Sequence, residues 1–381
     1  MKVGIIGQGY VGLSLANASL IAGHEIYGFD TNSQVVASLS KTAKHKVSDD
    51  PSILENLDVV IIAVPTPLDD MRKPDLLAVK AACKTIIENV KKPLLVINES
   101  TSYPGTLRNE IASVIESASG LGHMYAASPE RVDPGNKKWS QKNTPRLLAG
   151  LTPEATALAR KFYSSFCDQI VEVSGPEVAE AAKLFENTFR QVNIALVNEF
   201  AQISNALEIP TREVLEAAAT KPFGFMSFQP GPGVGGHCIP VDPSYLAHVA
   251  EGAGVPATFI RYANEVNLAM PAYVVSRVVG DVGSLEKKRV VVVGVAYKAN
   301  VTDTREAPAA LVISKLQRLG ADVAWHDPVV GTWNGQSSSD LKGFDVAIVV
   351  TKHDVVSEAE IKACAPYVFD CTGSIKGVFG L

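Results

Sequence analysis

The sequence predicts an α/β chain in which two parallel-sheet, Rossmann-like domains are joined by a long central helix and a small helical dimerisation domain. Three observations carry that expectation: a glycine fingerprint after the first strand, an amphipathic run of about 30 residues in the middle, and a strand–helix plan repeated in the last third. "KVGIIGQGYVGLSLANASLIAGHEIYGFD" reads as a buried strand, a glycine turn, a helix and a second strand reaching Asp30. Gly7, Gly9 and Gly12 form G-x-G-x-x-G in the strand–turn–helix setting that gives the motif its meaning, with an acid about 18 positions beyond Gly12. In such a turn the first glycine makes the bend, the second admits a pyrophosphate, and the third lets helix and strand pack closely. The helix start, at Tyr10 and Val11, then offers its N–H groups to phosphates. Asp30 suits the ribose hydroxyls and repels a 2′-phosphate. No arginine follows it in "DTNSQ", so NAD is expected in preference to NADP.

Further strands are expected at "DVVIIAVPTP" and "PLLVINEST". "GPEVAEAAKLFENTFRQVNIALVNEFAQISNALEI" has helical apolar spacing, with Gly175-Pro176 as a start and Pro210 as a stop. A helix that long between two α/β domains is expected to form a homodimer interface. More helix is expected over 212–220 and 255–279. "KKRVVVVGVAY", "APAALVISKLQRLG" and "ADVAWHDP" repeat strand, helix and a strand reaching an acid, Asp327, and "DVAIVVTKHD" echoes "DVVIIAVPTP". Gly294 is followed by Val-Ala-Tyr-Lys, so no second dinucleotide is expected. The expected domains are 1–174, 175–284 and 285–381.

The 381 residues are 46% hydrophobic and 20% charged, an ordinary balance for a globular chain. A net charge of -5 without a basic run argues against nucleic acid as a partner. No apolar run reaches the roughly 18 residues of a membrane span, and a strand at the very start is expected to leave no room for a signal peptide. The five cysteines and seven histidines are scattered, without CxxC spacing, so neither a disulfide framework nor a metal site is expected. These features fit a reduced, cytoplasmic protein.

One cysteine stands apart. "QPGPGVGGHCIPVDP" surrounds Cys238 with glycines, which admit a ligand to the backbone, and prolines, which fix the direction of approach. A thiol near a nicotinamide implies aldehyde chemistry, with addition, hydride loss and thioester hydrolysis. Together "GQGYVG", "VPTP", "ESTSYPGT", "SPERVDPG", "KLFENTFRQVNIALVNE", "PGPGVGGHCIPVDP", "GVAYKANVTDTREAP" and "WHDP" resemble, in the same order, the UDP-glucose/GDP-mannose dehydrogenase family. Its members oxidise the C6 alcohol of a nucleotide sugar to a uronate.

The resemblance implies that Cys238 is the nucleophile and that Asp242 helps activate water or the thiol. It implies that Lys183 and Asn187 hold the C6 oxyanion, and their spacing of four puts both on one helix face. Thr66 of "VPTP" joins the cofactor site, and Thr101 lies beside the nicotinamide. Glu130, Arg131 and Val132 of "SPERV" join the substrate site, Glu130 orienting water or acting as a base. Ser227, Phe228, Gln229, Pro230, Gly231 and Gly235 wrap the sugar and diphosphate. Lys298 binds substrate and Arg305 contacts cofactor. Taken alone, Lys183 and Glu130 read as exposed charges. Val241 and His237 stand where UDP-glucose enzymes typically carry a lysine and an aromatic, and "GGHCIPVDP" with "TKPFGF" is closer to the UDP-N-acetylhexosamine branch. UDP-glucose 6-dehydrogenase and a non-catalytic NAD or nucleotide-sugar binder are the alternatives. Thr372 of "VFDCTG" occupies a position where relatives often have arginine.

Overall fold

The computed structural model describes residues 1–133, 135–136 and 138–381, so Pro134 of the "SPERVDPG" segment lies outside the described residues. By compactness the chain divides into two units, Met1–Glu186 with Ser244–Val255, and Asn187–Pro243 with Pro256–Leu381.

The first unit is built on eight strands: β1 (Lys2–Ile6), β2 (Glu25–Phe29), β3 (Lys46–Ser48), β4 (Val59–Ile62), β5 (Leu95–Asn98), β6 (Met124–Ala127), β7 (Arg146–Gly150) and β8 (Ile170–Glu172). Their order is β3-β2-β1-β4-β5-β6-β7-β8, and all neighbours are parallel except β6 and β7. The strands read as continuous Val, Ile and Leu runs because helices cover both faces, and every residue of β4 and β5 is buried. The helices are α1 (Tyr10–Ile21), α2 (Ser33–Thr42), α3 (Leu77–Asn89), α4 (Ser113–Ser119) and α5 (Pro153–Tyr163). Asn32 caps α2 by accepting from the Gln34 and Val35 amides, and Thr152 with Pro153 starts α5. Val3, Ile5, Leu15, Val59, Ile61, Leu95 and Phe162 form the core of one face. The strand order reverses between β1 and β4, and ligands of such sheets bind at the carboxyl ends of strands at that point.

The central segment forms α6 (Pro176–Ala206), a continuous helix of 31 residues, and α7 (Thr211–Ala219) after Pro210. Next come α8 (Asp242–Gly252) and α9 (Thr258–Val282). α8 is absent from the sequence reading because its opening Asp-Pro, beside the proline-rich loop, reads as a turn although proline suits the first turn of a helix. α9 is displaced from the expected 255–279. It begins after Pro256 and stops only at Gly283, whose φ of 74° no longer fits a helix.

The C-terminal sheet contains β9 (Arg289–Val293), β10 (Asp322–His326), β13 (Val346–Val349), β14 (Tyr367–Asp370) and β15 (Phe379–Gly380), ordered β10-β9-β13-β14-β15 and parallel throughout. A short hairpin, β11 (Thr332–Trp333) with β12 (Gln336–Ser337), follows β10. α10 (Pro308–Arg318) and α11 (Glu358–Cys364) belong to this sheet, whose two faces carry separate apolar cores. Among the described residues no helix is long and apolar enough to cross a membrane.

Candidate active site

In the first unit β1 ends in the fingerprint. Gly7 has φ +95° and donates to the Phe29 carbonyl at 2.8 Å, and a Cβ there would sit 2.3 Å from the Ala63 carbonyl oxygen. A Cβ on Gly12 would fall 1.9 Å from the Gly7 carbonyl oxygen, so strand and helix meet only through glycine. Gly9 differs: open space surrounds its Cβ position. Asp30 follows β2 and is half-buried, with one oxygen accepting from the Gln8 amide at 2.8 Å and the other from the Asn32 amide at 2.8 Å. An open glycine at the head of a helix, with a carboxylate tied to the same turn, fits a dinucleotide pyrophosphate and ribose.

Three further loops of this unit carry expected residues. Ser100 joins two of them, donating to the Val64 carbonyl at 2.8 Å and accepting the Val64 amide at 2.9 Å, which links the loop of buried Thr66 to that of half-buried Thr101. Beneath them Arg146 donates to Glu99 at 2.8 Å and to the Ser128 hydroxyl at 3.1 Å, and Tyr163 donates to Glu99 at 2.6 Å. This buried ionic scaffold pins the segments leading into Thr101 and Glu130. Glu130 and Lys183 are 8% and 7% exposed, against the surface positions each suggests alone. Burial raises the Glu130 pKa while the Lys183 ammonium opposes that rise, so the two are electrostatic neighbours. Tyr10 joins them: burial and then Glu130 raise its pKa. The Val132 amide donates to Glu130. Arg131 instead forks onto Glu186, at 2.6 and 3.2 Å, and donates to the Pro145 carbonyl.

Glu180 escaped the sequence reading. It is 1% exposed and accepts from the Gly105 and Leu107 amides at 2.7 and 2.9 Å and from the Ser102 hydroxyl at 3.4 Å. These donors lie just after Thr101, where the chain enters a π-helical stretch, Thr106–Ala112. Burial raises the Glu180 carboxyl to about 7, outweighing those donors. Its spacing of three from Lys183 on α6 was the available signal.

In the second unit Asn187 donates to Asp242 at 2.5 Å, and the Asp242 amide donates to the Cys238 carbonyl at 2.8 Å. Asp242 is 1% exposed and opens α8, whereas Cys238 is half-buried. The glycines around the thiol also admit the protein's own chain. A Cβ on Gly235 would lie 2.9 Å from the Glu306 carbonyl oxygen, and one on Gly236 2.8 Å from the Tyr297 ring, so the close approach is to the protein's own chain. The loop's entrance is tied by the Gly231 amide to Asn198 at 2.9 Å, which donates to Asn267 of α9 at 2.9 Å. Ser227 and Gln229 are exposed, Phe228 packs edge-on against Phe189, and Pro230 is buried. Arg305 forks onto Asp303 at 2.9 and 2.5 Å. After that pairing and burial, Cys238 also favours the Arg305 charge, so the guanidinium lies within electrostatic reach of the sulfur. Lys298 is half-buried in the same segment.

Three models of one family match the chain: the UDP-glucose/GDP-mannose dehydrogenase family NAD binding domain over residues 41–167, its central domain over 177–269 and its UDP binding domain over 291–377. Residues 2–71 also match a model described as NADP oxidoreductase, coenzyme F420-dependent, which takes in the glycine turn outside the first of those matches. The chain is 36% identical to a UDP-N-acetyl-D-glucosamine 6-dehydrogenase of Pseudomonas aeruginosa, over 87% of this chain and 83% of the relative. It is 34% identical to a UDP-N-acetyl-D-mannosamine dehydrogenase of Methanococcus maripaludis, over 93% and 86%. The solved structure of UDP-D-ManNAc dehydrogenase from Pyrococcus horikoshii superposes with a TM-score of 0.88 at 30% identity, covering 100% of this chain and 98% of that one. Similarity of this depth, running through all three family domains in order, establishes that the chain belongs to the UDP-glucose/GDP-mannose dehydrogenase family.

Proposed function

We propose that the protein oxidises the C6 alcohol of a UDP-N-acetylhexosamine, UDP-GlcNAc or UDP-ManNAc, to the uronate in two successive NAD-dependent steps. The observation that carries this reading is the Asn187–Asp242 hydrogen bond with the Asp242 amide on the Cys238 carbonyl. It brings the Asn187 amide of α6 onto a carboxylate that lies one helical turn from the thiol-bearing residue. The names of the relatives point to the N-acetylhexosamine class.

NAD, held by Gly7, Gly9, Tyr10, Val11, Gly12, Asp30, Thr66, Thr101 and Arg305, supplies the acceptor for both hydrides. Lys183 and Asn187 donate to the C6 oxygen as negative charge develops on it. Glu130 orients water or takes a proton, a task suited to a carboxyl whose pKa burial raises. The Cys238 thiolate forms a bond to C6 of the aldehyde, giving a thiohemiacetal whose loss of hydride leaves a thioester. Water activated beside Asp242 breaks the S–C6 bond, releasing the carboxylate and a proton and returning the thiol. Arg131, Val132, Ser227, Phe228, Gln229, Pro230, Gly231, Gly235 and Lys298 hold the substrate.

The test is NADH yield with mass analysis of the sugar nucleotide, using UDP-GlcNAc, UDP-ManNAc, UDP-GalNAc and UDP-glucose. Wild type is expected to give two NADH per sugar and a 6-carboxylate, and Cys238→Ala to stall near the aldehyde. Full uronate from Cys238→Ala at near wild-type rate would make the loop a substrate clamp only.

The reading extends to assembly and place. The domains are assigned as 1–174, 175–284 and 285–381, in keeping with the three family matches. α6 serves a homodimer, because Phe185, Phe189, Leu196 and Ile203 leave it with exposed apolar side chains at helical spacing, and exposed Leu207 follows its last residue. Light scattering at micromolar concentration should give twice the chain mass. A catalytic thiol is kept reduced in the cytoplasm, where the reaction is placed.

A further inference from the structure

The turn after β14 is satisfied from within. Asp370 accepts from the Thr372 amide and hydroxyl, each at 2.7 Å, and from the Ile375 amide at 2.8 Å, and the Thr372 hydroxyl pairs with Ser374 at 2.6 Å. A guanidinium from elsewhere in the same unit lies against this turn. Arg212, in the first turn of α7, donates to the Cys371 carbonyl at 3.3 Å and to the Gln229 side chain at 2.9 Å. It rests directly on Gly373: with φ +68°, a Cβ there would fall 1.9 Å from the Arg212 Cζ and 2.0 Å from its Nε. Gly373 is therefore the residue that admits the guanidinium.

Two features of Arg212 suit it to an anionic ligand. Among the described residues its hydrogen bonds go to neutral acceptors, an amide oxygen and a backbone carbonyl, and engage two of the five N–H groups a guanidinium carries. Asp370, the neighbouring carboxylate, has both oxygens committed to the turn. Burial draws the Arg212 pKa down, and Asp370 compensates only in part. A half-buried cation so placed is poised for an anionic ligand. A planar fork suits phosphate oxygens best.

We propose that Arg212 binds the diphosphate of the nucleotide-sugar substrate, supplying through space the cation that Thr372 does not provide. The assignment rests on the nucleotide-sugar reading and deepens it. Arg212 bridges the turn at Thr372 to Gln229, a residue of the expected substrate loop, so it also couples that loop to the C-terminal sheet. It is a binding residue, remote in role from the thiol chemistry, and should affect KM far more than kcat.

The experiment is calorimetric titration of the full chain with UDP and, separately, with NAD. Arg212→Gln keeps amide donors for Gln229 and Cys371 while removing the charge. It is expected to weaken UDP about tenfold to a hundredfold and leave NAD unchanged. The double variant Arg212→Gln/Thr372→Arg should recover part of the loss. Arg212→Gln that binds UDP within twofold of wild type overturns the proposal while leaving the nucleotide-sugar reading intact. Wild type that fails to bind UDP overturns the reading and the proposal together. If Arg212→Gln melts below the assay temperature, Arg212→Lys replaces it, and unaltered UDP affinity there overturns the forked contact, because an ammonium cannot bind in that way.

Discussion

Gly7 after β1 and Gly294 after β9 occupy matching turns. Each donates to the carbonyl that ends the neighbouring strand, Phe29 or His326, at 2.8 Å. Each has a positive φ, +95° and +85°, and each would drive a Cβ into a carbonyl oxygen of the next loop, Ala63 at 2.3 Å and Thr351 at 2.0 Å. In both, an aspartate past the second strand accepts the next amide: Asp30 from Gln8 at 2.8 Å and Asp327 from Val295 at 2.9 Å. There the likeness ends. α1 starts at Tyr10 behind an open Gly9, whereas α10 starts only at Pro308 behind the loop that carries Lys298 and Arg305. Asp30 remains half-buried, while Asp327 is sealed. Asp327 also accepts from Ala296, Val329, Val330 and His353, the last at 2.9 Å. The same fold position leaves a carboxylate half-open in one sheet and locks a turn in the other.

The largest expected effect tests that contrast directly. Asp327→Ala removes one member of a buried, hydrogen-bonded pair and should lower stability by about 3–5 kcal/mol in denaturant unfolding. Asp30→Ala should lower it by only about 1 kcal/mol. Its effect belongs in cofactor choice, where the strong preference of kcat/KM for NAD over NADP should shrink. Comparable kcat/KM for the two cofactors in wild type would remove the role assigned to Asp30. The Asp327 contribution also has a pH signature. Burial opposes its charge, but His353 and the Val330 and Val295 amides hold its pKa at about 2, below the ordinary 3.8. The stabilisation is therefore present above pH 3.8 and lost as pH falls through about 2.

A second pair of substitutions separates the turns. Gly294→Ala meets both the positive φ and the Thr351 carbonyl and should lower stability by about 3 kcal/mol. Gly9→Ala meets open space, so its Tm should move little while its NAD affinity falls about tenfold or more, read by fluorescence titration. A Gly9→Ala protein that binds NAD as wild type does would place the pyrophosphate elsewhere.

The smallest effect concerns Glu180. Its pKa of about 7 in the folded chain exceeds the ordinary 4.5, so the stability linked to its proton is complete below pH 4.5 and lost as pH rises through about 7. Thermal melts at pH 5 and pH 8 should show a Tm difference smaller by about 3 °C in Glu180→Gln than in wild type. An unchanged difference would mean that the carboxyl is ionised throughout that range.

Much of this was legible in the chain itself. The apolar runs of β1, β4, β9 and β13, the fingerprint at Gly7 and the Gly-Pro start of α6 each depend on local pattern, and local pattern is what a sequence displays. Lys183 and Asn187 lie one turn apart on a helix that periodicity alone located. Burial was not legible: Lys183 and Glu130 carry surface-type side chains, and only packing takes them out of water. α8 was hidden by its opening Asp-Pro. Glu180, Ser100 and the Arg146–Glu99 pair bind loops far apart in sequence, and no spacing rule connects them.

The α/β plan and the doubled sheet unit follow from the chain's local pattern, because strand and helix periods and glycine turns are written within a few residues. Tertiary structure decided what those residues meet. It turned the glycines beside Cys238 toward Tyr297 and Glu306, set Asn187 on Asp242, sealed Asp327 while leaving Asp30 open, and brought Arg212 to Gly373. Each of those outcomes depends on a close approach between segments distant in sequence, where the available volume and the number of unpaired polar groups fix which contact forms.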